Sequence, residues 1–157
     1  MNIDLVVTGK TNINYISEGV NVYAGRLRNY TNFSVITLPD VKNAKSLTPE
    51  LLKEREGDQL IKTLEKYDYV VFLDDKGKEH TSTGFAEWLN KKTGTGIRKM
   101  CFVVGGAYGF SQEAYKRAQE KMSVSKMTFS HQMIRLLFTE QLYRAFTILN
   151  GEPYHHE

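Results

Sequence analysis

A chain of 157 residues with 41% apolar, 25% charged and 11% aromatic side chains has the make-up of one ordinary globular domain, long enough to bury roughly 70% of the surface its unfolded form exposes. One cysteine, Cys101, excludes a disulfide framework and a Cys-rich zinc site, and no stretch approaches the ~18 apolar residues of a membrane span, so a soluble cytoplasmic protein without metal or membrane contact is expected. Basic residues exceed acidic ones by five to four over residues 1–50, ten to nine over 51–110 and six to five over 111–157, which excludes a basic tail as an RNA grip.

Asp4 to Thr8 is a β-branched run closed by Gly9 and predicts a buried first strand. Asn12 or Asn14 is positioned to cap a helix that carries Ile16, Val20, Tyr23, Ala24 and Leu27 on one stripe and ends near Tyr30. Phe33 to Leu38 is a second strand, and Val41 to Ser46 a polar loop. Thr48 followed by Pro49 opens a second helix running to about Lys66, with Gly57 as its weak point. Tyr69 to Leu73 reads as a strand covered on both faces, Asp74 to Lys78 as a turn, and Ser82 to about Lys92 as a helix ended by Gly94 and Gly96. Met100 to Val104 is another buried strand and runs into Gly105-Gly106-Ala107-Tyr108-Gly109. A helix from Gln112 to about Lys121, a short run Met122 to Ser125 and a long helix from His131 to Asn150 complete the chain. Alternating strands and helices, about five of each, predict a single-domain α/β fold over residues 1–157 with a mostly parallel sheet flanked by helices.

Ligands of open parallel sheets collect beyond the carboxyl ends of the strands, where Leu73, the glycine cluster and Ser125 to His131 fall. The glycines can cradle a ligand or simply make a tight turn, and they lack the Gly-x-Gly-x-x-Gly of a dinucleotide site. Ser123 to His131 mixes hydroxyls with large apolar groups. It suits either the wall of a heterocycle pocket or an edge strand with Ser130 as a helix cap. Glu140 and Arg144 stand four apart on the last helix, and the tail Pro153-Tyr154-His155-His156 either frays or folds over a bound base.

Val103-Val104-Gly105-Gly106-x-x-Gly109, Ser123-x-Ser125-Lys126-Met127-Thr128, His131-x-x-x-Arg135, Glu140-Gln141-x-Tyr143-Arg144-Ala145 and Gly151-x-Pro153-Tyr154-His155 together resemble the RlmH type of SPOUT methyltransferase along the whole chain. The resemblance implies a C-terminal trefoil knot, a homodimer and S-adenosylmethionine as cofactor. It also implies methylation of N3 of a pseudouridine in 23S rRNA on the assembled ribosome. It places the cofactor on Leu73, Gly105, Val124, Ser125, Lys126, Met127, Thr128 and Phe129. It assigns catalysis to Arg144, His155 and Glu140, and substrate contact to His131, Tyr154 and His156. In that scheme Arg144 stabilises the base anion and His155 or Glu140 takes the proton. Ser130 and His156 depart from the family, which often has proline and a basic Arg or Lys there. Two other classes compete with it: a non-catalytic ribosome-binding factor on the same fold, and an adenine-dinucleotide enzyme.

Overall fold

The computed structural model describes residues 1–156. Strands β1 (Asn2–Thr8), β2 (Asn32–Leu38), β3 (Tyr69–Glu79), β4 (Lys99–Val104) and β5 (Glu120–Ser123) form one parallel sheet in the order β2-β1-β4-β3-β5. Helices α1 (Asn14–Leu27), α2 (Pro49–Leu64), α3 (Ser82–Thr93), α4 (Gln112–Tyr115) and α5 (Met133–Leu149) cover it on both faces. Strand alternation sorts the core into two layers. Leu5, Val7, Val71, Leu73, Phe102 and Val104 face α1, α3 and α5, whereas Val6, Val70, Phe72, Cys101 and Val103 face α2 and α4. Thr48 caps α2 as its sequence predicts, its Oγ1 accepting from Leu51 N at 3.2 Å.

Three expectations are corrected. Neither Asn12 nor Asn14 caps α1, whose N-cap is Ile13 without a side-chain bond; Asn12 instead donates its backbone N–H to Gln132 Oε1. The helix expected over Gln112 to Lys121 stops at Tyr115, and Glu120–Ser123 becomes the edge strand in place of Met122 to Ser125. Asp74 to Lys78 is not a closing turn, because β3 resumes pairing after it. Met122 is registered opposite both Leu73 and Lys78, so residues 74–77 form a bulge in an otherwise continuous strand. Phe138, Leu142 and Phe146 of α5 are buried within the same chain, where the helix lies between α1 and α3.

The bulge depends on one missing side chain. A Cβ on Gly77 would lie 2.4 Å from Met122 N and 2.6 Å from Lys121 C, both backbone atoms that cannot turn aside. Gly77→Ala is expected to destabilise the fold by about 2 kcal/mol, lowering Tm by roughly 4 to 8 °C. Gly25→Ala, in the interior of α1 with no atom within 4 Å of the added methyl, should raise Tm. Thermal melts of the two variants check both signs.

Candidate active site

A cavity of about 670 Å³ opens at the carboxyl ends of β3 and β4. Leu73 and Val104 form its floor, the turn Gly105 to Phe110 one wall, and Ser123 to His131 with Ile134 of α5 another. Its size lies within the roughly 300–1,000 Å³ of small-molecule sites. Gly105 is bare because a Cβ there would press on the Phe110 ring at 3.1 Å, and that ring is stacked on Phe72 with centroids 4.0 Å apart. Gly109 takes φ +82°, and its N–H closes the turn onto Gly106 O at 3.1 Å. Hydroxyls hold the opposite wall: Ser123 Oγ donates to Ser125 O at 2.8 Å, and Ser125 Oγ accepts from Met127 N at 3.0 Å. Ser130 Oγ accepts from Met133 N at 3.1 Å at the start of α5. At the mouth, Asp74 accepts from the Tyr115 hydroxyl and from Lys76 N. Burial opposes its ionisation, but these bonds win and hold its carboxyl below the usual carboxylate range.

Beside this cavity Arg135 is buried to 1% exposure. Its Nη2 donates to Thr8 O and its Nη1 to Gly9 O, each at 2.9 Å, while Nε donates to His131 O at 3.2 Å. Nη1 also reaches Thr11 Oγ1 at 2.9 Å, and Gln132 Nε2 donates to Lys10 O at 3.0 Å. The end of β1 is thereby plugged by the first turn of α5, which sets His131 at the cavity rim. Burial, with the nearby Arg135 charge, lowers the His131 pKa. Arg135→Met leaves two strand-end carbonyls without these donors and is expected to cost about 3 kcal/mol, or roughly 6 to 12 °C in Tm by calorimetry.

The expected catalytic set gathers elsewhere, on the outer face of α5. Arg144 donates to Glu140 Oε1 from Nε at 3.1 Å and from Nη2 at 2.5 Å, and Tyr154 OH donates to the same oxygen at 3.0 Å. The hydrogen bond with Glu140 raises the Arg144 pKa. Burial, with Tyr23 and Glu140 as neighbours, raises that of Tyr154. Arg144 Nη1 lies 3.0 Å from His155 Nδ1, and because a guanidinium only donates, Nδ1 is the accepting nitrogen. The Arg144 guanidinium also sits over the Tyr154 ring at 4.8 Å, and that ring meets Tyr143 edge-on. The tail is therefore docked rather than frayed: Tyr30 OH additionally donates to Glu152 Oε1 at 2.6 Å.

Of the expected cofactor residues, Leu73, Gly105, Val124, Ser125, Met127, Thr128 and Phe129 line the cavity, together with His131; Lys126 is exposed and does not. Glu140, Arg144, Tyr154, His155 and His156 do not line it either. Arg144 follows Ile134 by ten residues, about 15 Å along the helix axis.

The family described as "Predicted SPOUT methyltransferase" matches residues 1–155. The chain belongs to the SPOUT methyltransferases. Its relatives include proteins named ribosomal RNA large subunit methyltransferase H. That of Parabacteroides distasonis is 55% identical over 157 residues and that of Bacteroides fragilis 50% over 157, each match covering 100% of both chains. In fold, this SPOUT chain is similar to a methylase-family protein from Haemophilus influenzae, with a TM-score of 0.57 at 14% identity over 99% of this chain and 71% of that one. Sequence reasoning gave Arg135 no role in the SPOUT fold. The available signal was an arginine standing on the buried stripe of Phe138, Leu142 and Phe146. Gln132 and Phe110, both buried supports of the site, carried no comparable signal.

Proposed function

We propose that the chain methylates N3 of a pseudouridine in 23S rRNA on the assembled ribosome, in the cytoplasm, with S-adenosylmethionine as methyl donor. The observation that carries this is the cavity itself: one bare glycine turn and one hydroxyl-braced wall enclose a space of cofactor size at the ends of β3 and β4. Leu73, Val104 and Ile134 offer apolar contact to an adenine, and backbone groups of 124–129 offer it hydrogen bonds. When bound there, the cofactor supplies an already activated methyl group on a sulfonium.

Glu140 and Arg144 of α5, with Tyr154 and His155 of the tail docked on them, stand apart from the cavity of their own chain. The reading therefore requires a homodimer in which one protomer's tail meets its partner's cavity. Tyr15 and Val22, 62% and 51% exposed on α1, and Met127 and Phe129 on the wall supply apolar surface for such a contact. The path of 124–132 supports a trefoil knot: it returns from edge strand β5 across the ends of β3 and β4 to reach Lys10 and Thr8 near the chain's beginning.

In the assembled site the substrate's N3–H takes the place of the Arg144 N–H at His155 Nδ1, the nitrogen already held as acceptor. The freed guanidinium turns to the base's carbonyl oxygens and stabilises the anion. Glu140 keeps hold of Arg144 and Tyr154 throughout, as a positioning residue. The test is transfer of labelled methyl from S-adenosylmethionine to ribosomes lacking the modification, with nucleoside analysis of the product. N3-methylpseudouridine is expected; cofactor binding without transfer would overturn the reading. Sedimentation at micromolar concentration is expected to show a dimer.

A further inference from the structure

A second cavity, of about 260 Å³, lies between α3 and α5 on the far side of the cofactor wall. We propose that it is a base pocket, which takes one unpaired nucleobase of the RNA beside the methyl acceptor; this rests on the function proposed above. At less than the roughly 300 Å³ of the smallest drug-sized sites, it has room for one ring system and little more.

Its lining states the chemistry of the occupant. Phe85, Phe129 and Phe138 supply aromatic surface, and Leu137 and Met122 aliphatic surface. No Lys, Arg, Asp or Glu lines it, so a phosphate or a carboxylate finds no counter-charge there. Of its six polar side chains, Thr81, Ser82, Ser123, Ser125 and Gln141 are already engaged by groups of the protein, which leaves His80. His80 lines the cavity and its Nε2 is buried without a hydrogen-bond partner among the described residues. Such an orphan costs free energy until something fills its place. Burial and the neighbouring Lys78 charge favour the neutral imidazole, which suits an uncharged ligand. A flat, neutral ring with donors and acceptors on its edge satisfies all of these at once, and in RNA that is a splayed-out base.

The cavity also adjoins the cofactor wall and the Arg144 cluster of its own chain, which in the proposed dimer serve neighbouring sites. Ser123, Val124, Ser125 and Phe129 line it and the cofactor cavity alike, so one segment is the shared partition. On the other side Gln141 accepts from Ser82 Oγ at 2.8 Å and donates Nε2–H to Glu140 Oε2 at 3.1 Å, which reaches the Arg144 cluster. A base seated here lies directly behind the wall of its own chain's cofactor cavity and beside the cluster that the same chain offers to its partner.

Full-length His80→Leu, His80→Gln and Leu137→Phe are compared with the wild type by ribosome methylation kinetics and by calorimetry with S-adenosylhomocysteine. Losing the polar tip or filling the space is expected to raise KM for ribosomes about tenfold in His80→Leu and Leu137→Phe, the worth of one stacked base at its low end. His80→Gln, which keeps a polar tip, should stay near the wild-type KM, and affinity for S-adenosylhomocysteine should be unchanged in all three. Unchanged KM in both blocking variants overturns the proposal. So does an equal loss of S-adenosylhomocysteine affinity, which would assign the cavity to the cofactor, or a monomeric Leu137→Phe, which would assign it to a second copy of the chain. A wild type that transfers no methyl would fail the proposed function instead, before any variant is compared.

Discussion

Arg144→Ala is expected to slow methyl transfer to ribosomes by about 10²- to 10³-fold while affinity for S-adenosylhomocysteine stays at the wild-type value. The split follows from position. Arg144 holds Glu140, Tyr154 and His155 in one cluster and touches none of the cofactor cavity of its own chain. Arg144→Lys should rescue little, because a lysine ammonium lacks the planar fork that bonds Glu140 through Nε and Nη2 while Nη1 reaches His155. Deleting Tyr154 to Glu157 should match Arg144→Ala in rate and again leave cofactor affinity intact. Single-turnover kinetics and calorimetry on the same preparations check both. Near-normal turnover in the deletion would remove the tail from the site, and lost cofactor binding would place it in the other cavity.

Gly105→Val should do the reverse, abolishing measurable S-adenosylhomocysteine binding in a chain that still folds. Two effects combine. The valine occupies cavity space next to Leu73 and Val104, and its Cβ meets the Phe110 ring at 3.1 Å, where Phe72 blocks retreat. Displacing Phe110 would move the turn that forms one wall. Circular dichroism with calorimetry separates loss of binding from loss of fold. Affinity within about tenfold of wild type, 1.4 kcal/mol, would show that Gly105 does not face the cofactor.

The three inner strands were legible because their Val, Ile, Leu and Phe runs suit residues covered on both faces, and edge strand β2 was legible from a similar apolar run. The other edge, β5, was not. Glu120-Lys121-Met122-Ser123 has no strand pattern, and its helix-friendly composition extends the preceding helical stretch. Pairing with β3 decides its conformation, a tertiary effect that no local window contains. The same pairing draws Asp74 to Lys78, a turn by composition, into β3. At the site, the glycine turn and the 123–131 wall, which line the cavity, were marked out by their place after strands. The role of Arg135 was not, since two of its acceptors are backbone carbonyls 126 and 127 residues away, and carbonyls have no sequence. The docked tail was equally hidden, because it rests on Tyr23 of α1, Tyr30 of the turn after it and Tyr143 of α5.

The Arg135 plug also fixes when this chain can finish folding. The carbonyls of Thr8 and Gly9 leave the ribosome early, but the guanidinium that satisfies them is made only after most of the polypeptide has been synthesised. A nascent chain that has exposed β1, β2 and α2 therefore carries an open strand end, and closure waits for the final helix to emerge and turn back. Closure of the β1 end is expected to come late in folding, sensitive to truncation within α5 and tolerant of delay in the middle of translation.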